Sequence, residues 1–351
     1  MNSKVHLNRQ TVVRLALVGI IPLILFLLFL WTGGWLTPQR LTSDKLVDVL
    51  QQSGGVHKGY RRNHAKGMCV LGSFISNGNA SVLSRASLFS KGETAVTGRF
   101  AIAGGNPAAP DYAVPVRSMA LSFQQSNGEQ WRTGMNAMPF FPVSSVESFY
   151  ELQTATLPDA ATGKPNPEKL RSFVMNHPEI KPFFAWAKQY TPSSSWASDR
   201  FNSLNAFRLI DKAGHEQLVR WSMVPHAGFT PISDADKQNS DFLQQDLQHR
   251  LEQGALKWDL VFTLAQAGDK GDDATRAWPA DRKTINAGTL VLNKAIPQQQ
   301  GPCNDINYDP LILPDGMAPS ADPILNARSS AYAKSYNLRT HEQAQQKGET
   351  L

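Results

Sequence analysis

The segment DPILNARSSAYAKSYNLR, residues 322–339, opens on an aspartate followed by proline. An N-cap acceptor ahead of a residue with φ already set for the first turn is a strong helix start. Along the predicted helix, Arg328 precedes Tyr332 by four residues and Arg339 follows it by seven. Those offsets put all three side chains on one face. Two cations near one phenol favour its ionised form, because an opposite charge close by lowers a phenol pKa that otherwise lies near 10. A phenolate is a hard anionic oxygen, suited to ferric iron. Tyr336, one turn further on, competes as the ligand on spacing alone.

Ahead of this helix runs QQQGPCNDINYDPLILPDGMAPSADP, residues 298–323, a long connection rich in Pro and Gly. A loop of that length inside a compact domain wraps over something or carries function. Short β-rich runs precede it: AVTGRFAIA (95–103), VPVRSMALSF (114–123), MNAMPFF (135–141), WDLVFTLAQ (258–266) and TLVLNK (289–294). NAFRLIDKAGHEQLVRWSMVP (205–225) reads as a hairpin around DKAGH. Helices are expected at SSVESFYELQTA, capped by Ser144 or Ser145, at PEKLRSFVMNH, and over the whole of DKQNSDFLQQDLQHRLEQGALKW. Antiparallel strands with interspersed helices predict an α+β fold, a closed antiparallel β-barrel core with helices around it, preceded by one transmembrane helix.

The transmembrane prediction rests on Leu15–Leu36, which carries no charge over roughly the 20 residues that cross a bilayer core. Lys4, Arg9 and Arg14 lie on one side, and Trp31 and Trp35 at the other end. The positive-inside rule puts residues 1–14 in the cytoplasm and the rest beyond the inner membrane, on the periplasmic side. No Ala-x-Ala-like cleavage site marks a removable signal peptide. The organisation read from sequence is an anchor at 15–36, a linker and short amphipathic helix at 37–54 (Leu46, Val47 and Leu50 on one side), a catalytic domain at 55–340 and a polar tail at 341–351.

The chain has 351 residues and a net charge of +6, part of it in the N-terminal flank, with no dense Lys/Arg block. Nucleic acid is therefore not an expected partner. Cys69 and Cys303 cannot form a zinc site alone, and no Cys-x-x-Cys-His offers covalent haem attachment. One disulfide is possible in an exported chain, but the expectation is that both thiols stay free.

GYRRNHAKGMCVLGSF (59–74) poses a further question: it sets His64 behind Arg61 and Arg62, ahead of an apolar and small run. Such a stretch suits an anionic ligand beside one free imidazole.

RSSAYAKSYNLR resembles the proximal segment of the haem catalases, in which an arginine four residues before the axial tyrosine and another seven after it recur. RRNHAKG is similar to that family's distal histidine segment, GRFAIAGG (98–105) to the strand whose arginine binds a haem propionate, and GMNAMPFFPV (134–143) to the distal asparagine segment. NAFRLIDKAG, GTLVLNKAIP and NYDPLILPDGMAPSADPILNAR follow further family segments in the same order. The resemblance runs over about residues 55–340, and the short length is that of the small catalase-related peroxidases.

It implies haem b (iron protoporphyrin IX) as cofactor, with Tyr332 as the iron ligand and His64 and Asn136 as the catalytic pair. Arg61, Arg99, Arg328 and Arg339 would serve the propionates and the phenolate, and Phe149 would stack on the porphyrin. The implied activity is reduction of hydrogen peroxide or organic hydroperoxides with small organic electron donors. A true catalase, a haem-binding barrel without turnover and a hydroperoxide rearrangement of the allene oxide synthase kind are the alternatives.

Several positions depart from the pattern. Asn63 replaces a valine and is expected to polarise the distal pocket. Ala101 stands where a serine usually hydrogen-bonds the distal histidine. Ala333, Lys334 and Ser335 replace Pro-Asp-Thr. Arg62 is expected to be a solvated surface charge, and His57, His177, His215, His226, His249 and His341 to be surface or capping residues.

Overall fold

The computed structural model describes residues 8–348 except 34, 37–39 and 160. The chain forms two units, Met1–Leu46 and Val47–Leu351. The first contains α1 (Arg9–Thr32), which starts where the Asn8 side chain accepts from Thr11 N and runs through Pro22. None of its residues is buried, and at 1.5 Å per residue its length of about 36 Å matches a bilayer core. It begins six residues before the expected span and ends four before it; Lys4 and the Thr37 boundary lie outside the described residues.

α2 (Ser43–Gly54) forms as expected, with Leu46 and Val47 buried. The chain then enters β1 (Gly67–Ser76), β2 (Gly92–Ile102), β3 (Arg117–Gln124) and β4 (Gln130–Asn136), an antiparallel meander. Helices α3 (Val146–Ala155), α4 (Pro167–Asn176) and α5 (Lys181–Gln189) follow, the first two capped by Ser145 and Asn166. Next come β5 (Phe201–Asn202), the hairpin β6 (Phe207–Ile210) and β7 (Glu216–Pro225), α6 (Phe242–Gln253), β8 (Leu256–Leu264), β9 (Thr284–Pro297), β10 (Met317–Pro319) and α7 (Pro323–Gly348).

The sheet runs β7-β5-β4-β3-β2-β1-β9-β8, and β8 pairs back onto β7, closing an eight-strand antiparallel barrel. β6 and β10 extend from β7. Closure removes the exposed edges that an open sheet would present.

Alternation along each strand sorts the two faces. In β3, Met119, Leu121 and Phe123 are fully buried, and in β4 Trp131 and Met135 join them. The filling is aromatic: Phe123 stacks on Trp131 at 4.6 Å between ring centroids, and Phe207 lies 4.4 Å from Trp221. Each such ring removes about 150–250 Å² from water, which makes this the main apolar term of the domain. The opposite face of β4 carries Arg132, Gly134 and Asn136, and here α7 and the segment before it pack. Arg132 N donates to Ile312 O, Arg132 Nη1 donates to Asn307 O, and Arg328 of α7 donates to Gly134 O.

Three expectations shift. The strand expected at 135–141 lies at 130–136, because Pro139 has no N–H to continue a ladder. The long helix expected from Asp236 reduces to α6, preceded by a 3-10 turn at Asp236–Gln238; Gly254, with φ 155°, ends it, and Leu256 onward is strand. The expected polar tail is helical as far as Gly348 as a continuation of α7, its last residues lying outside those described.

Cys69 and Cys303 are joined in a disulfide, Cα atoms 5.4 Å apart, which overturns the expectation of free thiols. The long connection lies against β1 there, in an apolar cluster of Cys69, Cys303 and Tyr308 packed on Tyr332. Arg62 is also not a surface charge. It is buried, its guanidinium ion-paired with Glu342 of α7 and donating to Gln51 Oε1 and Tyr60 O.

Candidate active site

The start of α7 is set by Asp322, whose Oδ1 accepts from Ile324 N at 2.9 Å. One turn in, Arg328 Nη2 donates to Gly134 O at 2.7 Å and Nη1 to Asn205 Oδ1 at 2.5 Å. Asn205 Nδ2 donates in turn to Asp322 Oδ2 at 2.8 Å. The cap of the helix and the arginine four residues before Tyr332 are thus parts of one network. Arg328 Cζ lies 6.0 Å from the Tyr332 ring centroid. The phenol oxygen rests over Gly134: a Cβ there would sit 3.0 Å from Tyr332 Oη. Tyr336 points elsewhere, its hydroxyl donating to Asp305 O at 3.0 Å.

Above this helix lies an arginine cluster. Arg61 Nη2 donates to the carbonyls of Cys303 and Ile306 at 2.9 and 3.1 Å. Arg99 Nη2 donates to His64 O at 2.7 Å and, with Nε, to Gln298 Oε1. Arg339 is buried, its Cζ 5.2 Å from the Tyr336 ring centroid, and its Nε and Nη2 have no partner. No described carboxylate forms an ion pair with Arg61, Arg99, Arg328 or Arg339. Burial, then the neighbouring arginines, hold Arg61 well below the usual guanidinium value; burial brings Arg99 down to about 10 and also lowers Arg339. Buried cations without counter-ions cost several kcal/mol each unless an anion joins them. Tyr308, buried beside the same arginines, is pushed above its usual value by that burial.

His64 stands at the end of the loop before β1 with φ 54°, a left-handed conformation rare for a residue with a Cβ. Asn63 accounts for it. Its Oδ1 accepts from His64 N at 2.9 Å and from Gly104 N at 2.8 Å, so the side chain pins backbone on both sides. The ring Nδ1 lies 3.0 Å from Ser118 Oγ. Burial first, then Arg99, lower the imidazole to about 4, so it is neutral at neutral pH. Asn136, at the end of β4, is buried with its Oδ1 unpartnered. Asn202 Nδ2 donates to the carbonyls that follow it, fixing the strand end.

Phe149 lies on α3 in a separate apolar cluster with Val143, Phe173 and Ile180, its ring 5.6 Å from Phe141. No local pattern singled out Ser118, Asn205 or Gln298. Gly134 did carry a signal, since a glycine inside a strand marks close backbone approach. Among the histidines set aside, His177 caps α4 between Glu151 and Glu179, His226 pairs with Asp259 and His215 with Asp211.

A closed antiparallel barrel carrying a long C-terminal helix on its outer face, with arginines gathered around one tyrosine and a histidine–asparagine pair nearby, is the architecture of haem catalases. The catalase family model matches residues 40–346, and the chain belongs to the catalase family. It is 42% identical over 302 residues to a catalase-related peroxidase of Synechococcus elongatus, covering 86% of this chain and 89% of that one. It is 30% identical over 305 residues to a catalase-related peroxidase of Mycolicibacterium paratuberculosis, covering 86% and 95%. Among solved structures, a bacterial catalase superposes with a TM-score of 0.71 at 22% identity, covering 84% of this chain and 59% of that one. A fungal catalase gives the same TM-score at 19% identity, covering 80% and 59%. The chain thus spans about three-fifths of those solved catalases.

Catalase-family proteins bind haem, and the residues here fit it. Its two carboxylates answer the buried guanidiniums that lack counter-ions, including the two unpartnered nitrogens of Arg339. Its iron answers a phenol oxygen set beside a guanidinium.

Proposed function

We propose that this chain is a haem b peroxidase that reduces hydrogen peroxide or organic hydroperoxides with small organic electron donors. The observation that carries this reading is the set of buried arginines without carboxylate partners, between a phenol on α7 and an imidazole ahead of β1. Arg61, Arg99 and Arg339 hold the propionates, Tyr332 ligates the iron as phenolate, and Phe149 packs against the porphyrin. Arg328, fixed by Gly134 O and Asn205, sets its guanidinium beside the Tyr332 ring. When bound, haem supplies the redox chemistry that takes two electrons from the donor for each peroxide reduced.

The chain's own part is proton handling. The neutral His64 ring takes the proton from one peroxide oxygen and returns it to the other, so that the departing oxygen leaves as water or alcohol. Nδ1 is engaged by Ser118, which leaves Nε2 as the nitrogen that does this. Asn136 hydrogen-bonds peroxide through its amide and holds it beside the ring.

α1 is read as a single-pass anchor in the cytoplasmic membrane, with the folded unit on the periplasmic side. Its uncharged length and the basic residues before it support this, and a disulfide suits an oxidising compartment.

The test is to supply the purified protein with hydrogen peroxide and with an organic hydroperoxide, following dioxygen release and oxidation of a phenolic dye side by side. Ready dye oxidation with slow dioxygen release is expected. Fast dioxygen evolution with negligible dye oxidation would make it a true catalase, and neither activity would leave only a haem-binding barrel.

A further inference from the structure

The two departures from the family pattern beside His64, Asn63 and Ala101, each find an answer in the structure. Asn63 holds the backbone, bridging His64 N and Gly104 N and so sustaining the left-handed φ. Ala101 offers no hydroxyl, yet the ring is not without one. In the β2–β3 register Ala101 lies directly opposite Ser118, and in the β3–β4 register Ser118 lies directly opposite Asn136. Directly paired residues in a sheet project to the same face. Ala101, Ser118 and Asn136 therefore form one row across three strands, and the hydroxyl has moved one strand along it.

We propose that Ser118 is the positioning residue of His64: its hydroxyl accepts from Nδ1–H, fixes the tautomer with a bare Nε2, and holds the ring on the Asn136 side. This rests on the peroxidase reading for its purpose, though not for its geometry. A neutral imidazole has one N–H and one lone pair, and the hydrogen bond made by one nitrogen decides which role falls to the other. The other groups around the ring are Arg99, Arg328 and Arg61, whose charge adds to burial in keeping it neutral, and the Ile102 carbonyl, an acceptor only, which favours a ring N–H. A guanidinium can donate to a ring lone pair but cannot accept, so of these side chains only the Ser118 hydroxyl can accept from Nδ1–H.

The experiment uses the full chain carrying diamagnetic zinc protoporphyrin and ¹⁵N-labelled histidine, with the His64 signals identified by their loss in H64Q. The parent should show a protonated Nδ1 and a bare Nε2 across neutral pH. S118A should show mixed tautomers, and the iron-haem form of S118A should reduce peroxide about tenfold to a hundredfold more slowly, a fraction of the roughly 10²–10⁴-fold that a positioned proton-transfer group contributes. Its KM for the electron donor should stay put. Placing the hydroxyl back across the register, in the double variant S118A/A101S, should restore both the tautomer and the rate. An S118A protein with the parental tautomer and rate, or a parent with Nε2 protonated, overturns the proposal, and so does a double variant that recovers neither property. If the tautomer follows position 118 but no variant or parent reduces peroxide, the proposed function fails and the positioning stands.

Discussion

Substituting Gly134→Ala tests whether the Tyr332 oxygen is held by the sheet. The added Cβ would meet Tyr332 Oη at 3.0 Å, Arg328 Nη2 at 3.3 Å and Tyr332 Cζ at 3.8 Å. Comfortable carbon contacts begin at about 3.5 Å, so something must move by about half an ångström. The strand cannot yield easily: Gly134 pairs with Ala120 of β3, and its carbonyl is held by Arg328. The phenol moves instead, away from the barrel. Stability should change by less than about 1 kcal/mol, because losing glycine's unfolded-state freedom gains about 0.4–1 kcal/mol and offsets the crowding. Function should respond more strongly. A displacement of about 1 Å in a positioned group costs about 100-fold, so half of that predicts a loss of about tenfold. Urea unfolding, the visible absorption spectrum of the haem-loaded protein and turnover with an organic hydroperoxide measure the three effects. A G134A protein of parental spectrum and parental turnover would refute the reasoning, since Tyr332 would then not depend on its contact with β4.

Other perturbations address the remaining parts. Tyr332→Phe should lose haem or leave it loosely held and inactive, whereas Tyr336→Phe, losing only a bond to Asp305 O, should keep the parental spectrum; the reverse outcome would move the ligand one turn along α7. With His64 lowered to about 4 by burial and Arg99, the deprotonated base persists as pH falls through 6.5, and activity should decline only as pH approaches 4; a decline centred near 6.5 in the pH–rate profile would contradict that environment. Replacing both cysteines by serine should destabilise the domain by up to about 5 kcal/mol, because the bridge closes 234 residues of chain, and calorimetry should show a melting point lower by about 10 °C. Protease added to intact spheroplasts should digest the folded unit if α1 spans the membrane as read, and full protection would put that unit in the cytoplasm.

Much of this site could be read in the sequence because it depends on local spacing. The Asp322-Pro323 start, the Arg328–Tyr332–Arg339 face and the Ser145 cap follow from helix periodicity and orphan N–H groups, and each forms as spacing requires. The residues missed are those whose partners are distant in sequence. Arg62 looked like a surface charge because Glu342, which buries it, lies 280 residues away. The cysteines looked free because only barrel closure and the return of the long connection bring Cys303 to Cys69. Asn205 looked like the first residue of a hairpin, although it joins Arg328 to the cap of α7.

Ser118 and Asn63 show the same limit from the other side. Reading along the chain, each altered position beside the histidine counted as a loss: a hydroxyl gone at 101, a polar residue intruding at 63. The folded structure changes both conclusions. Residues 101 and 118 are neighbours across a hydrogen-bonded pair, so a hydroxyl at either can reach the same side of the sheet. An asparagine two bonds from a backbone amide can turn back to cap it, and Asn63 does so. What such a site requires is a donor or acceptor atom at one position in space, and a barrel offers more than one strand from which to supply it. Departures from a linear motif therefore weaken a functional reading only when no neighbour in the register carries the missing group, and at His64 one does.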